Sequence, residues 1–386
     1  MKSSSNGKSP KRSGPRLRVL FIPLEASHWR IARSTPYPTF LGFEEGFEAN
    51  GVEYLTLPAI WQPEAKRVPW LNRAKEICAG KHFDQVWFEP LHTELDDDAL
   101  EWLAGLAPVR VALLMESLKY SPEEYELSEM IREYSGRVEA RLRYVTHVLS
   151  ADEEDVSDIN ERQLARAMWA PSAIPQRYIG EGLTKAPGNY AIFIGNPYCG
   201  RVNWLENPEL KGRLLHVVSA ENDTWYPYLF DSLNRFARHY PGRPFPASPA
   251  ISLYLTFLRR IRRRIFAYYL ETLQRGCAVV NLPHWVKSYS IRVTEAMAVG
   301  RPAISWEIPD RPLNKALFEE GKEILLYSKG EPGQLADHIQ RLLAEPDLAE
   351  RIAANARRRL RRFHTVEERV RQALDWITSG EAPSYV

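Results

Sequence analysis

Short apolar runs alternate with segments of helical spacing through the first 170 positions. The apolar runs lie at residues 18–25, 52–60, 83–91, 109–117 and 146–156. Such nearly continuous runs are typical of strands that are buried on both faces. Between them, segments such as 38–51 repeat their phenylalanines near the helical period. Strands separated by helices of this length predict a parallel, doubly wound sheet.

The pattern is interrupted at 171–190 and then starts again. The interruption is rich in proline and glycine and has no periodicity, so it predicts an interdomain linker. Further strands are predicted at 191–195, 214–220, 277–283, 302–306 and 323–328, with helices between them. The chain is therefore α/β, with two doubly wound, Rossmann-like domains. The predicted divisions are a basic tail at 1–16, domains at 17–172 and 190–364, a linker at 173–189, and a C-terminal segment at 365–386.

The composition supports two globular domains. The 386 residues are 44% hydrophobic and 26% charged, which excludes a mostly disordered, collagen-like or disulfide-scaffold chain. The cysteines Cys78, Cys199 and Cys277 are far apart, so a reducing, cytoplasmic setting is expected. No apolar run is long enough to predict a transmembrane helix, which needs about 18 residues or more.

The positive charge is concentrated at the start of the chain. The formal net charge is +2, but residues 1–16 contain five basic and no acidic residues, which leaves −3 for the rest. The body of the chain therefore lacks the basic surface expected of a nucleic-acid-binding protein.

The predicted helix at 251–273 has one apolar face and five arginines. They are Arg259, Arg260, Arg262, Arg263 and Arg264. One interpretation is a core helix with a solvated basic face. The other is a peripheral contact with a membrane of anionic lipid, or with a polyanionic acceptor.

A helix that begins near residue 288 has candidate anion-binding features. Ser288 and Ser290 are suitable N-caps, and Arg292 lies in the first turn. The N–H groups at a helix N-terminus favour phosphate. Arg292 and Glu295 are one turn apart, so an exposed helical ion pair is an alternative interpretation.

The C-terminal sequence resembles a known family. The segment SIRVTEAMAVGRPAISWEIPDRPLNKALFEEGKEILLYS and the helical tail after it resemble the donor-binding part of GT-B glycosyltransferases. The resemblance covers roughly 275–378. It is closest to glycosyltransferase family 4 and to the spore-maturation-protein-like relatives, which are also described as glycosyl transferases group 1. It implies two Rossmann-like domains facing across a cleft, with a last helix at about 366–378 that crosses back to the N-terminal domain.

The resemblance also implies a function. It implies transfer of a sugar, with retention, from a nucleoside-diphosphate sugar to an acceptor, usually without a metal. The implied donor-binding residues are Gly195, Arg201, Ser288, Ser290, Arg292 and Glu295, with Glu295 holding the ribose. The implied catalytic residues are Lys287, Arg292, Glu295 and His92. Gly195 alone also fits an ordinary turn between strand and helix. Lys287 is a departure, because many relatives have an acidic residue at that position.

The acceptor is expected to bind at the strand ends of the N-terminal domain. The candidates are His28, His92 and Glu116, although a histidine in a loop is also a common structural residue. His284 lies close enough in sequence to Lys287 to contact the donor.

The metal-binding motifs H-E-x-x-H and C-x-x-C are missing from the sequence, so no metal and no cofactor other than the donor substrate is expected. Two alternatives to a transferase remain open: a sugar-nucleotide epimerase on the same fold, and a non-catalytic scaffold or binding protein. The sequence does not identify the sugar, the base or the acceptor.

Overall fold

The computed structural model describes residues 16–26, 42–61, 70–90, 95–127, 129–180, 186–197, 200–218, 249–284 and 286–385. The strands of this part are β1 (Arg18–Ile22), β2 (Leu24–Ala26), β3 (Glu53–Thr56), β4 (Ala59–Trp61), β5 (Gln85–Phe88), β6 (Val109–Leu114), β7 (His147–Ser150), β8 (Arg166–Trp169), β9 (Ala191–Ile194), β10 (Leu214–Val217), β11 (Val279–Asn281), β12 (Ala303–Trp306) and β13 (Leu325–Tyr327). Its α-helices are α1 (Phe43–Ala49), α2 (Trp70–Cys78), α3 (Asp97–Leu106), α4 (Pro122–Leu127), α5 (Glu129–Arg141), α6 (Glu153–Glu161), α7 (Arg201–Leu205), α8 (Pro249–Leu273), α9 (Ile291–Ala298), α10 (Pro312–Ala316), α11 (Pro332–Ala344), α12 (Pro346–Phe363) and α13 (Val366–Ser379).

Two parallel sheets organise the chain, which confirms the predicted fold class. The N-terminal sheet has the order β3-β1-β5-β6-β7-β8, and the C-terminal sheet has the order β10-β9-β11-β12-β13. The central strands are mostly apolar, as expected of parallel strands that are buried on both faces. In β1, for example, Leu20 is fully buried and pairs with Leu55 and Val86.

Prolines shorten two of the predicted strands. The predicted strand at 18–25 is divided at Pro23 into β1 and β2. The predicted strand at 52–60 is divided into β3 and β4, with Pro58 just before β4. Proline has no N–H group to donate, so it interrupts the ladder of the main sheet. The chain beyond each proline forms a separate, parallel pair, β2 with β4.

The last helix packs against the N-terminal sheet layer. Val370, Ala373 and Trp376 of α13 are buried in one cluster with Phe47 of α1. A side chain at Gly46 would lie only 2.5 Å from Val370 Cγ2, so the two helices meet where only glycine fits. The final segment therefore belongs to the hydrophobic core that the N-terminal residues form.

Helix α8 uses its arginines to contact the other half of the chain. Arg259 pairs with Glu44 and Arg263 with Glu45, both in α1. Arg262 is buried, and burial lowers its pKa to about 9. Arg260, Arg263 and Arg264 are exposed. The solvated-face interpretation therefore holds for these three and is wrong for the other two, and the ion pairs with α1 give no support to a membrane surface.

No helix in the described part of the chain combines the length and the apolar character needed to cross a membrane.

Candidate functional site

A cluster of polar groups lies where β9 and β11 end and α9 begins, at the carboxyl edge of the C-terminal sheet. This is the edge at which doubly wound sheets bind ligands. Arg292, in the first turn of α9, donates from Nε and Nη2 to the carbonyl oxygen of Ile194, at 3.1 and 2.8 Å. Gly195 has φ of 152°, and a Cβ there would lie 3.0 Å from Arg292 Nη2. Glycine thus allows the guanidinium to approach the end of β9.

The positive charge of Arg292 has no carboxylate contact within the described residues. Its third hydrogen bond is to Asn281 Oδ1, at 3.4 Å, and its guanidinium lies 4.7 Å from the centre of the Phe193 ring. Arg201 lies on the same ring at 5.2 Å, is buried, and donates from Nε to the carbonyl of Pro283. Two guanidinium groups therefore flank one aromatic ring at the sheet edge.

His284 is further evidence of positive potential at this edge. Burial lowers its pKa well below the usual value, and the charges of Arg201 and Arg292 lower it further. The ring is therefore neutral, and its Nδ1 accepts a hydrogen bond from the amide of Val286, at 2.9 Å. The ring proton accordingly lies on Nε2.

Asn281 connects the site, although it was not predicted from the sequence. Its Oδ1 accepts from Ser290 Oγ at 2.7 Å and from Arg292, and its Nδ2 donates to Ser305 Oγ at 2.9 Å. The available signal was a polar residue at the carboxyl end of an otherwise apolar strand. Such a side chain lies at the sheet edge, where a ligand would bind.

The start of α9 differs in one respect from the prediction. Ser290 occupies the N-cap position with an extended backbone, but its side chain makes no capping hydrogen bond because it donates to Asn281. Ser288 is buried two residues earlier and is not at the cap. Ser290 therefore holds the N-cap position, as predicted, but neither serine caps the helix with its side chain. No capping side chain thus covers the first N–H groups of α9 within the described residues.

Glu295 is fully buried, so the alternative of an exposed ion pair with Arg292 is wrong. Its Oε2 accepts a hydrogen bond from the hydroxyl of Tyr269 in α8, at 2.7 Å. Its Oε1 has no hydrogen-bond partner among the described residues. Burial raises the pKa of this carboxyl to about 7, against the lowering effects of Tyr269 and Arg292.

We predict that Glu295→Gln removes a pH dependence of stability. The carboxyl binds a proton more tightly in the folded state, so stability is lost as pH rises from its unfolded pKa towards 7. Glutamine imitates the neutral acid and cannot ionise. In urea unfolding, the free energy of unfolding of the variant should increase relative to that of the wild type by on the order of 2 kcal/mol between pH 5 and pH 8. A parallel change in both proteins would contradict a raised pKa.

Comparisons of the sequence and of the fold show what the chain is similar to. Residues 236–375 match a family model described as glycosyl transferase-like. The fold is similar to sucrose-phosphate synthase from Thermosynechococcus elongatus, at 13% identity over 95% of this chain and 100% of that chain, with a TM-score of 0.60. The chain has the GT-B fold. No curated protein matches the sequence.

Two further solved structures are similar to this chain. HepE from Anabaena, in complex with UDP and glucose, has 12% identity over 94% of this chain and 100% of that chain, with a TM-score of 0.54. An alpha-glucosyltransferase in complex with UDP-glucose and DNA has 12% identity over 95% of this chain and 100% of that chain, with a TM-score of 0.59. At these identities the similarity shows the fold.

The side chain of Lys287 faces the N-terminal half of the chain. Its ammonium forms an ion pair with Glu124, and its amide donates to Ser117 Oγ at 2.9 Å. A diphosphate would therefore have to compete with Glu124 for the ammonium of Lys287. The carboxylate of Glu124 already neutralises the lysine in this structure.

The acceptor-side candidates are only partly described. Glu116 is half-buried just after β6, beside the serine that contacts Lys287. His28 and His92 lie outside the described residues, so their roles stay predictions. Glu89, which follows β5, is 6% exposed and lies at the same carboxyl edge of the N-terminal sheet.

Proposed function

We propose that this protein is a glycosyltransferase that moves a sugar from a nucleoside-diphosphate sugar to an acceptor held by the N-terminal half. The observation that supports this best is Arg292. Its guanidinium has no carboxylate contact in the described part of the chain and lies at the N-terminus of α9, at the carboxyl edge of the sheet. That combination suits a diphosphate.

The chemistry follows from the leaving group. Breaking the bond from sugar to phosphate builds negative charge on the diphosphate, which must be stabilised in the transition state. Arg292 can donate to phosphate oxygens, and the uncovered N–H groups of α9 add a favourable dipole. Arg201 adds a second guanidinium beside the same ring. The solved structures of HepE and the alpha-glucosyltransferase are complexes with UDP or UDP-glucose, which supports a donor of this class.

We propose retention of configuration and no metal. The departing phosphate can accept the proton of the acceptor hydroxyl on the same face of the sugar, so this mechanism needs no separate strong base. The arginines would then replace a metal as the source of positive charge. Both proposals rest on the resemblance in sequence to retaining, metal-independent enzymes.

Glu295 is proposed to bind the ribose of the donor. The unpaired Oε1 supports this, since a buried acceptor without a partner is costly and a ribose hydroxyl would satisfy it. Tyr269 holds the other oxygen and would orient the carboxylate. Binding of the hydroxyl favours the ionised form, so the pKa of Glu295 should fall when nucleotide binds.

The test is a ligand screen followed by a transfer assay. The purified protein is heated with UDP, GDP, ADP and their sugar conjugates, because a ligand of the folded state raises the melting temperature. A rise with one nucleotide, and release of that nucleotide when acceptor is supplied, would support the proposal. No rise with any nucleotide, in folded protein, would contradict it and favour a non-catalytic scaffold. Turnover of the nucleotide sugar without an acceptor would indicate an epimerase.

A further inference from the structure

The chain just before α9 is attached to the N-terminal half through Lys287. The amide of Lys287 donates to Ser117 Oγ, which is fully buried directly beyond β6. The ammonium pairs with Glu124 of α4, and the two side chains are only 16% and 9% exposed. Glu124 is itself fixed, because it accepts from the amide of Ser121 at 2.8 Å. Both the backbone and the side chain of Lys287 are therefore held by the other half.

Tyr289 is held in the same way two residues later. Its carbonyl accepts from Ser172 Oγ at 3.0 Å, and its amide donates to Asn314 Oδ1 at 2.9 Å. The amide of Asn314 in turn donates to Glu153 of α6, at 2.6 Å. The backbone leading into α9 is thus fixed between groups of the two halves.

These contacts determine where the start of α9 lies. Ser290 and Arg292 follow Lys287 by three and five residues, so a shift of the lysine moves the first turn of the helix. A displacement of about 1 Å at a catalytic group is enough to lower a rate strongly. Because Glu124 neutralises Lys287, the lysine acts here as an attachment point and not as a free cation.

We propose that Ser117, Glu124 and Lys287 form a positioning contact through which the N-terminal half fixes the N-terminus of α9. The donor site is then complete only while the two halves touch at this contact. The three residues are positioning residues, since they act through Arg292 and the helix. The effect on transfer rests on the proposed function, whereas the effect on α9 does not.

The first experiment needs no ligand. Lys287→Met and Glu124→Gln each break the ion pair, and the exchange Lys287→Glu with Glu124→Lys rebuilds it with the charges reversed. The matched control is Arg263→Met, which breaks another ion pair between the halves, 2.6 Å long and far from α9 in sequence. Hydrogen exchange of the peptide 286–295 should be about tenfold faster in each single variant. It should be unchanged in the control and partly restored in the exchange variant.

Unchanged exchange in both single variants would overturn the proposal, as would equal acceleration by Arg263→Met. The second measurement follows donor turnover in variants that remain folded. We expect kcat/KM for the donor to fall about tenfold in Lys287→Met and to recover in part in the charge exchange. A merely structural role would lower the melting temperature alone. If the wild type binds no nucleotide, the proposed function fails while the exchange result still decides this inference.

Discussion

Replacing Arg292 with alanine should weaken binding of the nucleoside diphosphate about 100-fold, because a charge-assisted contact is worth roughly 2–3 kcal/mol. The reason is its position. Arg292 has no carboxylate contact in the described chain, so its charge remains available to an anion, and it lies at the start of α9. Arg292→Lys should recover part of the affinity, since it keeps the charge and loses the two-pronged geometry.

The measurement is titration calorimetry with the nucleotide found in the ligand screen. Arg264→Ala is the matched control, because it removes the same charge from an exposed position on α8. It should leave affinity within about a factor of two, as expected for a distant, screened charge. Equal affinity in wild type and Arg292→Ala would remove Arg292 from the site. Melting temperatures in the absence of ligand would separate lost binding from lost folding, because Arg292 also contacts Ile194.

Local patterns were enough to predict both sheets. Their strands are short, apolar and separated by helices, and burial on both faces leaves an unmistakable run in the sequence. The pattern also predicted that ligands bind at the edge where the parallel strands end. The choice of Gly195, Arg201 and Arg292 at that edge came from the resemblance in sequence. In the structure these three residues do lie around Phe193.

Partners that are distant in sequence could not be predicted in the same way. Tyr269 lies near the C-terminal end of α8, where the spacing indicates only a packed face, yet its hydroxyl donates to Glu295. The contact of Lys287 with Glu124 joins residues 163 positions apart. No local pattern encodes such a pair, because each residue taken alone is an ordinary charged side chain. The unusual lysine was visible in the sequence, but its partner was not.

A second expected result concerns the buried ion pair between Asp152 and Arg311, which also joins the two halves. Arg311→Met should lower the free energy of unfolding by about 3–5 kcal/mol. Asp152 is fully buried and accepts two hydrogen bonds from the guanidinium, at 2.6 and 3.2 Å. Without the arginine, the carboxylate would remain buried and unpaired, next to the acidic start of α6.

The effect should grow with pH. The neighbouring Asp155 already has its pKa raised to about 8, first by burial and then by the charge of Asp152, while Arg311 lowers it. Loss of Arg311 removes its lowering effect on the pKa of Asp155, so the folded variant holds this proton to a higher pH than the unfolded chain does. The stability of the variant then falls as pH rises. Its loss of unfolding free energy relative to the wild type should be smallest near pH 4 and largest near pH 8.

Urea unfolding across this pH range measures the effect, and a second substitution shows its cause. Adding Asp152→Asn to Arg311→Met removes the unpaired charge while keeping the shape of the side chain. The double variant should regain about half of the lost stability at pH 8, because the largest cost of the single variant is a buried charge and not a missing contact. If the two variants unfold at the same urea concentration at every pH, the pair is held by packing alone. A loss under about 1 kcal/mol in the single variant would mean that solvent enters the junction and hydrates Asp152.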